Sequence, residues 1–136
     1  SGGGIRQLAQ LIGEQYRQRG VVPAYLGAEL PDARAVAEAA RTSDPAACEV
    51  YAVCGEMLGR GLALLADFLN PDRVVLGSIF ARSGDLLTQP MQRAFEQEAL
   101  PRAVRACAIV PAMLGDSIGD YAALALAAEA AHDPSR

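Results

Sequence analysis

Asn70-Pro71-Asp72-Arg73-Val74-Val75-Leu76-Gly77-Ser78-Ile79-Phe80 is the stretch that decides the fold. Asn70-Pro71 ends whatever helix precedes it, because proline pushes the residue before it out of helical geometry. Arg73 to Gly77 is a short β-branched run that closes on glycine. It lacks polar alternation, so it reads as a buried strand of the parallel type over residues 73–77. A glycine at the carboxyl end of such a strand is where an open α/β sheet receives ligands.

Upstream, Asp44 is suited to an N-cap and Pro45 to the first helical position, where its missing N–H is harmless. Apolar residues recur through Val50, Tyr51, Cys54, Leu58, Leu62, Leu65 and Leu69, so the pattern predicts one long helix over 45–69. Earlier still, Ile5, Leu8, Ala9, Ile12 and Tyr16 fall at helical spacing, predicting a helix over 5–19 stopped by Gly20. Val21 to Pro31 reads as a loop, and Asp32 as the cap of an Ala-rich helix over 33–41. Downstream, Ser83-Gly84-Asp85 restarts a helix over 84–98, and Pro101 begins a short turn. Residues 106–110 form a second buried strand, ended by Pro111, and a last helix covers 117–131.

The order α, α, α, β, α, β, α contains one right-handed βαβ unit. Two strands make a poor sheet alone, and these helices would cover more sheet than exists. The expectation is an α/β, helix-rich piece with two short parallel strands, its sheet completed by another chain or by strands elsewhere in a longer protein. An exposed sheet edge and apolar surface predict self-association, in the simplest case a homodimer.

Composition limits the functions available. The chain has 136 residues, 51% hydrophobic and 21% charged, which places it in one globular domain. Its net charge is −4, with 12 arginines and no lysine, and no basic block offsets the acidic balance. Nucleic-acid binding by this chain is therefore disfavoured. No apolar run reaches the ~18 residues of a membrane span, and no signal peptide is visible. Cys48, Cys54 and Cys107 contain no CxxC pair, and His132 is the only histidine, too thin a set for a zinc site. The thiols read as small buried hydrophobes in a reducing, cytoplasmic compartment.

Few residues offer chemistry. Gly77 lets a ligand approach the backbone, and Ser78 adds a hydroxyl, although the same residues suit an ordinary tight βα turn. Gly55, Gly59 and Gly61 fall inside the longest helix, where each costs ~1 kcal/mol relative to alanine. Something must come close to that face, either a packed sheet or a ligand. Ser1 to Gly4 precede a helix start, which suits an anion or a flexible lead. Leu114-Gly115-Asp116 lies at the end of the second strand and is either a crevice residue set or a loop with a cap. Glu56, Asp67, Asp116 and Asp120 are carboxylates that could act as a base, but no nucleophile–base pair, GxxxxGK[ST] loop or GxGxxG motif accompanies them. No catalytic residue and no metal ligand is assigned.

The ordered series Ser43-Asp44-Pro45-Ala46, Met57-Leu58-Gly59-Arg60-Gly61-Leu62-Ala63 and Asn70-Pro71-Asp72-Arg73-Val74-Val75-Leu76-Gly77 resembles the C-terminal half of ROK-family proteins (repressors, open reading frames and sugar kinases). Ser1-Gly2 resembles the "SG" that follows the family's cysteine cluster. Leu114-Gly115-Asp116 and the Ala-rich helix from Gly119 resemble its terminal segment. The resemblance implies an actin/hexokinase-like (ribonuclease H-like) fold of two lobes with ATP and Mg in the cleft, this chain supplying most of the C-terminal lobe. It places Gly77, Ser78 and Ile79 beside the nucleotide, with Ser78 where the family usually has a second glycine. Asp120-Tyr121-Ala122-Ala123 stands where the family has "GAA". The family's phosphate loop, catalytic Asp, sugar-binding carboxylates and Cys/His zinc cluster all precede the "SG". The implied function is therefore the nucleotide-side lobe of an ATP-dependent sugar kinase, inactive alone, and the alternative is the effector-binding or dimerising half of a ROK-type repressor or a non-catalytic ROK-like protein.

Overall fold

Six helices and two strands follow one another in a computed structural model that describes residues 2–27, 29, 31–114 and 117–132. They are α1 (Gly2–Gln18), α2 (Ala33–Arg41), α3 (Pro45–Leu69), β1 (Arg73–Leu76), α4 (Ile79–Glu98), α5 (Pro101–Ala106), β2 (Ala108–Pro111) and α6 (Ile118–His132). The order matches the expectation, with Pro101 opening a true helix rather than a turn. The glycines at the start of the chain also differ from expectation: Gly2 to Gly4 form the first turn of α1 instead of a lead into it. Ser1 lies outside the described residues.

Local chemistry sets the ends of α3. Asp44 Oδ1 accepts the Ala47 N–H at 2.9 Å, and Oδ2 accepts the Ala24 N–H at 2.9 Å. One carboxylate thus caps the helix and pins the 21–27 loop to it. At the far end Asn70 takes the left-handed conformation, with φ 47° and ψ 52°, and Pro71 prevents continuation. Asp32 holds the N-cap position of α2, but its side chain makes no capping bond. Only its carbonyl serves, accepting the Val36 N–H at 3.1 Å.

The core is where α1, α2 and α4 pack around α3. Tyr51, Phe95, Met91, Val36 and Val50 are its largest fully buried side chains, and alanines fill much of the rest. Gly55 and Gly59 explain the closest approach. A Cβ on Gly55 would meet Pro90 Cγ and the Leu87 carbonyl oxygen, and one on Gly59 would meet the Met91 carbonyl oxygen and Ala94 Cβ. The partner on this face is therefore α4, neither the sheet nor a ligand. Gly61 faces open space.

The strands pair in parallel, with Arg73 opposite Ala108 and Leu76 opposite Pro111. Pro111 ends the pairing as its last member, where its missing N–H removes nothing from the ladder. The expectation of buried strands is corrected: β1 alternates between exposed and half-buried residues, and Val75 is 59% exposed. With only two strands, one apolar surface of the sheet has nothing in the described structure to lie against. Cys107 is buried and Cys54 half-buried, but Cys48 is exposed, its thiol donating to the Ala40 carbonyl of α2 at 3.5 Å.

Candidate functional site

β1 ends at Leu76, and the chain turns through Gly77 and Ser78 into α4. Ser78 has φ 54° and ψ −120°, a backbone conformation natural to glycine and strained for a residue with a Cβ. Its hydroxyl caps nothing in the helix that follows. The turn is closed by the Gly77 carbonyl, which accepts the Phe80 N–H at 3.2 Å, while Phe80 itself is buried beneath.

Above this turn lies a cleft of about 540 Å³. Ser78 and Ile79 form one wall, α2 forms the other with Arg34, Glu38 and Arg41, and Gly2 of α1 stands at the edge. The structure brings Ser78 and Ile79 into this cleft. Gly77 lies behind it, with its α-carbon turned toward Ala112. Arg34, Arg41 and Arg82 bring three guanidinium groups to the lining against the carboxylates of Asp32 and Glu38. Arg34 Nε pairs with Glu38 at 3.0 Å. Arg41 donates twice to Asp85, at 2.7 and 2.9 Å, and once to the Arg82 carbonyl at 3.0 Å. That fork holds the Asp85 carboxyl below its usual range, and Asp85 raises Arg41 in turn.

At the floor, the Tyr51 hydroxyl stands 3.4 Å from both Ser83 Oγ and the Ala33 carbonyl. Burial pushes the Tyr51 phenol upward, so it stays neutral. Arg34, Arg41 and Arg82 did not stand out in the sequence, and Tyr51 and Ser83 did so only as a stripe residue and a helix start. Arg41 carried one weak signal, a basic residue in the last turn of a short helix.

The candidate bases separate. Glu56 pairs with Arg60 at 2.7 Å, and Asp67 accepts the Leu100 N–H at 3.0 Å, so both have structural partners. Asp120 sits in the first turn of α6, and Gly115 and Asp116 lie outside the described residues. Among the described residues no three His, Cys, Asp or Glu side chains gather into a metal-holding group. The described residues thus offer no donor set of their own for a magnesium ion.

Comparison with known proteins agrees with the architecture. A sequence model of the ROK family matches residues 1–130. A glucokinase of Halalkalibacterium halodurans is 37% identical over 87 residues, covering 64% of this chain and 26% of the relative. The crystal structure of a ROK family glucokinase from Streptomyces griseus, in complex with glucose and AMPPNP, superposes with a TM-score of 0.77 at 26% identity. It covers 95% of this chain and 43% of that one. A ROK family transcriptional regulator, a homolog of the E. coli MLC protein, shares the fold with a TM-score of 0.67 at 21% identity, over 82% of this chain and 27% of its own. The chain spans less than half the length of each. An ordered motif series, a matching helix-rich α/β architecture and a family match over nearly its whole length show that this chain belongs to the ROK family.

Proposed function

We propose that this chain is the C-terminal, nucleotide-side lobe of an ATP-dependent sugar kinase, with glucose as the sugar, and that the catalytic half lies elsewhere in a longer protein. The observation that carries the reading is the cleft at the carboxyl end of β1. Ser78 and Ile79 line one side and arginines line the other, in a chain similar to a glucokinase solved with glucose and AMPPNP. Phosphoryl transfer depends on positioning and charge stabilisation. Here the backbone at Ser78 offers close approach, and Ile79 an apolar surface for a base. Arg34 and Arg82 bring positive charge to the side of the cleft where the phosphates would lie, while the Arg41 guanidinium is held by Asp85. No described residue is placed to abstract the sugar hydroxyl proton, so that step falls to the other lobe. Magnesium would shield the phosphates when bound, with ligands beyond those of the described residues. The same reading makes the protein a cytoplasmic homodimer.

Calorimetry of the full-length protein with AMPPNP, together with a glucose phosphorylation assay, tests this. Binding of the nucleotide and phosphorylation of glucose are expected. Absence of both nucleotide binding and phosphorylation of any hexose or amino sugar overturns it. The strain at Ser78 favours one other reading, a ROK-type regulator that has kept the fold without tight nucleotide binding. The upstream sequence separates the two: a winged helix-turn-helix marks the regulator, and a DxGGT-type phosphate loop the kinase.

A further inference from the structure

α4 is two helices joined at Ser83, where φ −134° and ψ 24° break the helical path. The longer part, from Gly84 to Glu98, is bolted to α3 through the close contacts at Gly55 and Gly59. The short part, Ile79 to Arg82, is one turn of helix. It follows directly from the strained Ser78 and faces the cleft. The break lies between the two, so packing of α3 on α4 does not by itself set the direction of that first turn.

Three contacts do. Phe80 anchors its inner side in the core. Ser83, buried to 3% exposure, meets the Tyr51 hydroxyl. On the outer side, Arg41 of α2 reaches across the break, with its Nε and Nη2 on the two oxygens of Asp85 and Nη2 also on the Arg82 carbonyl. A planar guanidinium bound to both carboxylate oxygens fixes orientation as well as distance. It grips one residue on each side of the break and ties both to the opposite wall of the cleft.

We propose that Arg41 and Asp85 are positioning residues: their ion pair clamps α2 to the break in α4 and so sets the spacing between the Ser78–Ile79 turn and the α2 wall for the nucleotide. This rests on the nucleotide reading given above. The pair is half-exposed, and exposed ion pairs add little to global stability. Its work is local geometry, and small misplacements in a binding cleft are costly in function.

Asp85 does not line the cleft, which makes it the residue to change. In the full-length protein, Asp85→Ala is expected to raise the KM for ATP about tenfold and to leave the KM for glucose within about twofold. Asp85→Glu, which keeps the charge, is expected to recover most of the loss. Amide hydrogen exchange at Phe80, Ala81 and Arg82 should accelerate in Asp85→Ala and return toward wild type in Asp85→Glu. An unchanged KM for ATP, a parallel rise for both substrates, or unchanged exchange in the first turn of α4 overturns the clamp. Should the wild-type protein bind no nucleotide, the functional reading has failed and exchange alone decides the clamp. Faster exchange in Asp85→Ala then upholds it as a holder of the turn, and unchanged exchange overturns it.

Discussion

At Ser78 a side chain sits on backbone that glycine would occupy freely, with φ 54° and ψ −120°. Such strain costs on the order of 1–3 kcal/mol, against the smaller entropic cost of adding a glycine to the unfolded chain. Ser78→Gly is therefore expected to stabilise the protein by about 1 kcal/mol, read as a higher urea midpoint at unchanged slope. A lower midpoint would show that the hydroxyl does more than the strain costs. Asp85 gives a second test at this scale. Its carboxyl is held below the ordinary 3.8 by the Arg41 fork, so its contribution is present above the unfolded value and fades as pH falls through the folded one. The stability gap between wild type and Asp85→Asn should be constant near neutrality and shrink below about pH 4. Urea unfolding across pH measures it. A single residue's strain or partner was not legible in the sequence: Gly77-Ser78 announced a turn, but its φ sign follows from how β1 meets α4. The Arg41–Asp85 pair joins residues far apart in the chain, and no local pattern encodes it.

Helices were the most legible elements, since Asp44-Pro45, Asn70-Pro71 and Gly20 mark ends through chemistry that acts within a few residues. The start of α1 and the break in α4 were not. Gly2 to Gly4 adopt helix against their own propensity because Ile5 and Ala9 are drawn into the core, and the chain bends at Ser83 where Tyr51 meets the Ser83 hydroxyl and Arg41 the Arg82 carbonyl from other helices. The three glycines of α3 were legible as a cost without a cause. The structure divides them, and the division predicts opposite signs. Gly59→Ala places a Cβ against the Met91 carbonyl oxygen and 2.8 Å from Ala94 Cβ, where backbone cannot yield cheaply. It should destabilise by about 2 kcal/mol or more. Gly61→Ala meets nothing within 4 Å and gains helix propensity, so it should stabilise by about 1 kcal/mol. Thermal unfolding of the two variants side by side checks the pair. Equal shifts would mean that α3 and α4 do not touch as described.

The whole molecule is shaped by what α3 is built to bury. One face lies on α4. The opposite face carries Val50 and Cys54 beneath α1 and α2, then continues at helical spacing as Met57, Leu64, Leu65 and Phe68, all exposed. Phe68 is 88% and Leu64 74% exposed. A helix apolar on two opposite faces, with its charges confined to the strip of Glu49, Glu56, Arg60 and Asp67, is a helix meant to be covered on both. The sheet points the same way, with two strands and Val75 outward, as does α6, which leaves Tyr121, Leu124 and Leu126 in the open. The sequence already implied too few strands for its helices, because that shortfall is a count. Which surface would be left bare was not legible, since periodicity marks a face as apolar without saying what lies on it. Apolar area of this extent drives association in water. At micromolar concentration the 136-residue chain is therefore expected to scatter light as a dimer or larger species. The double variant Leu64→Glu with Phe68→Glu should shift it toward monomer while keeping its helical circular dichroism. Those two side chains lie outside the core, so the fold does not depend on them. A wild-type chain that stays monomeric would mean that this face tolerates water on its own, and that the uncovered half of α3 is not an interface between copies of this chain.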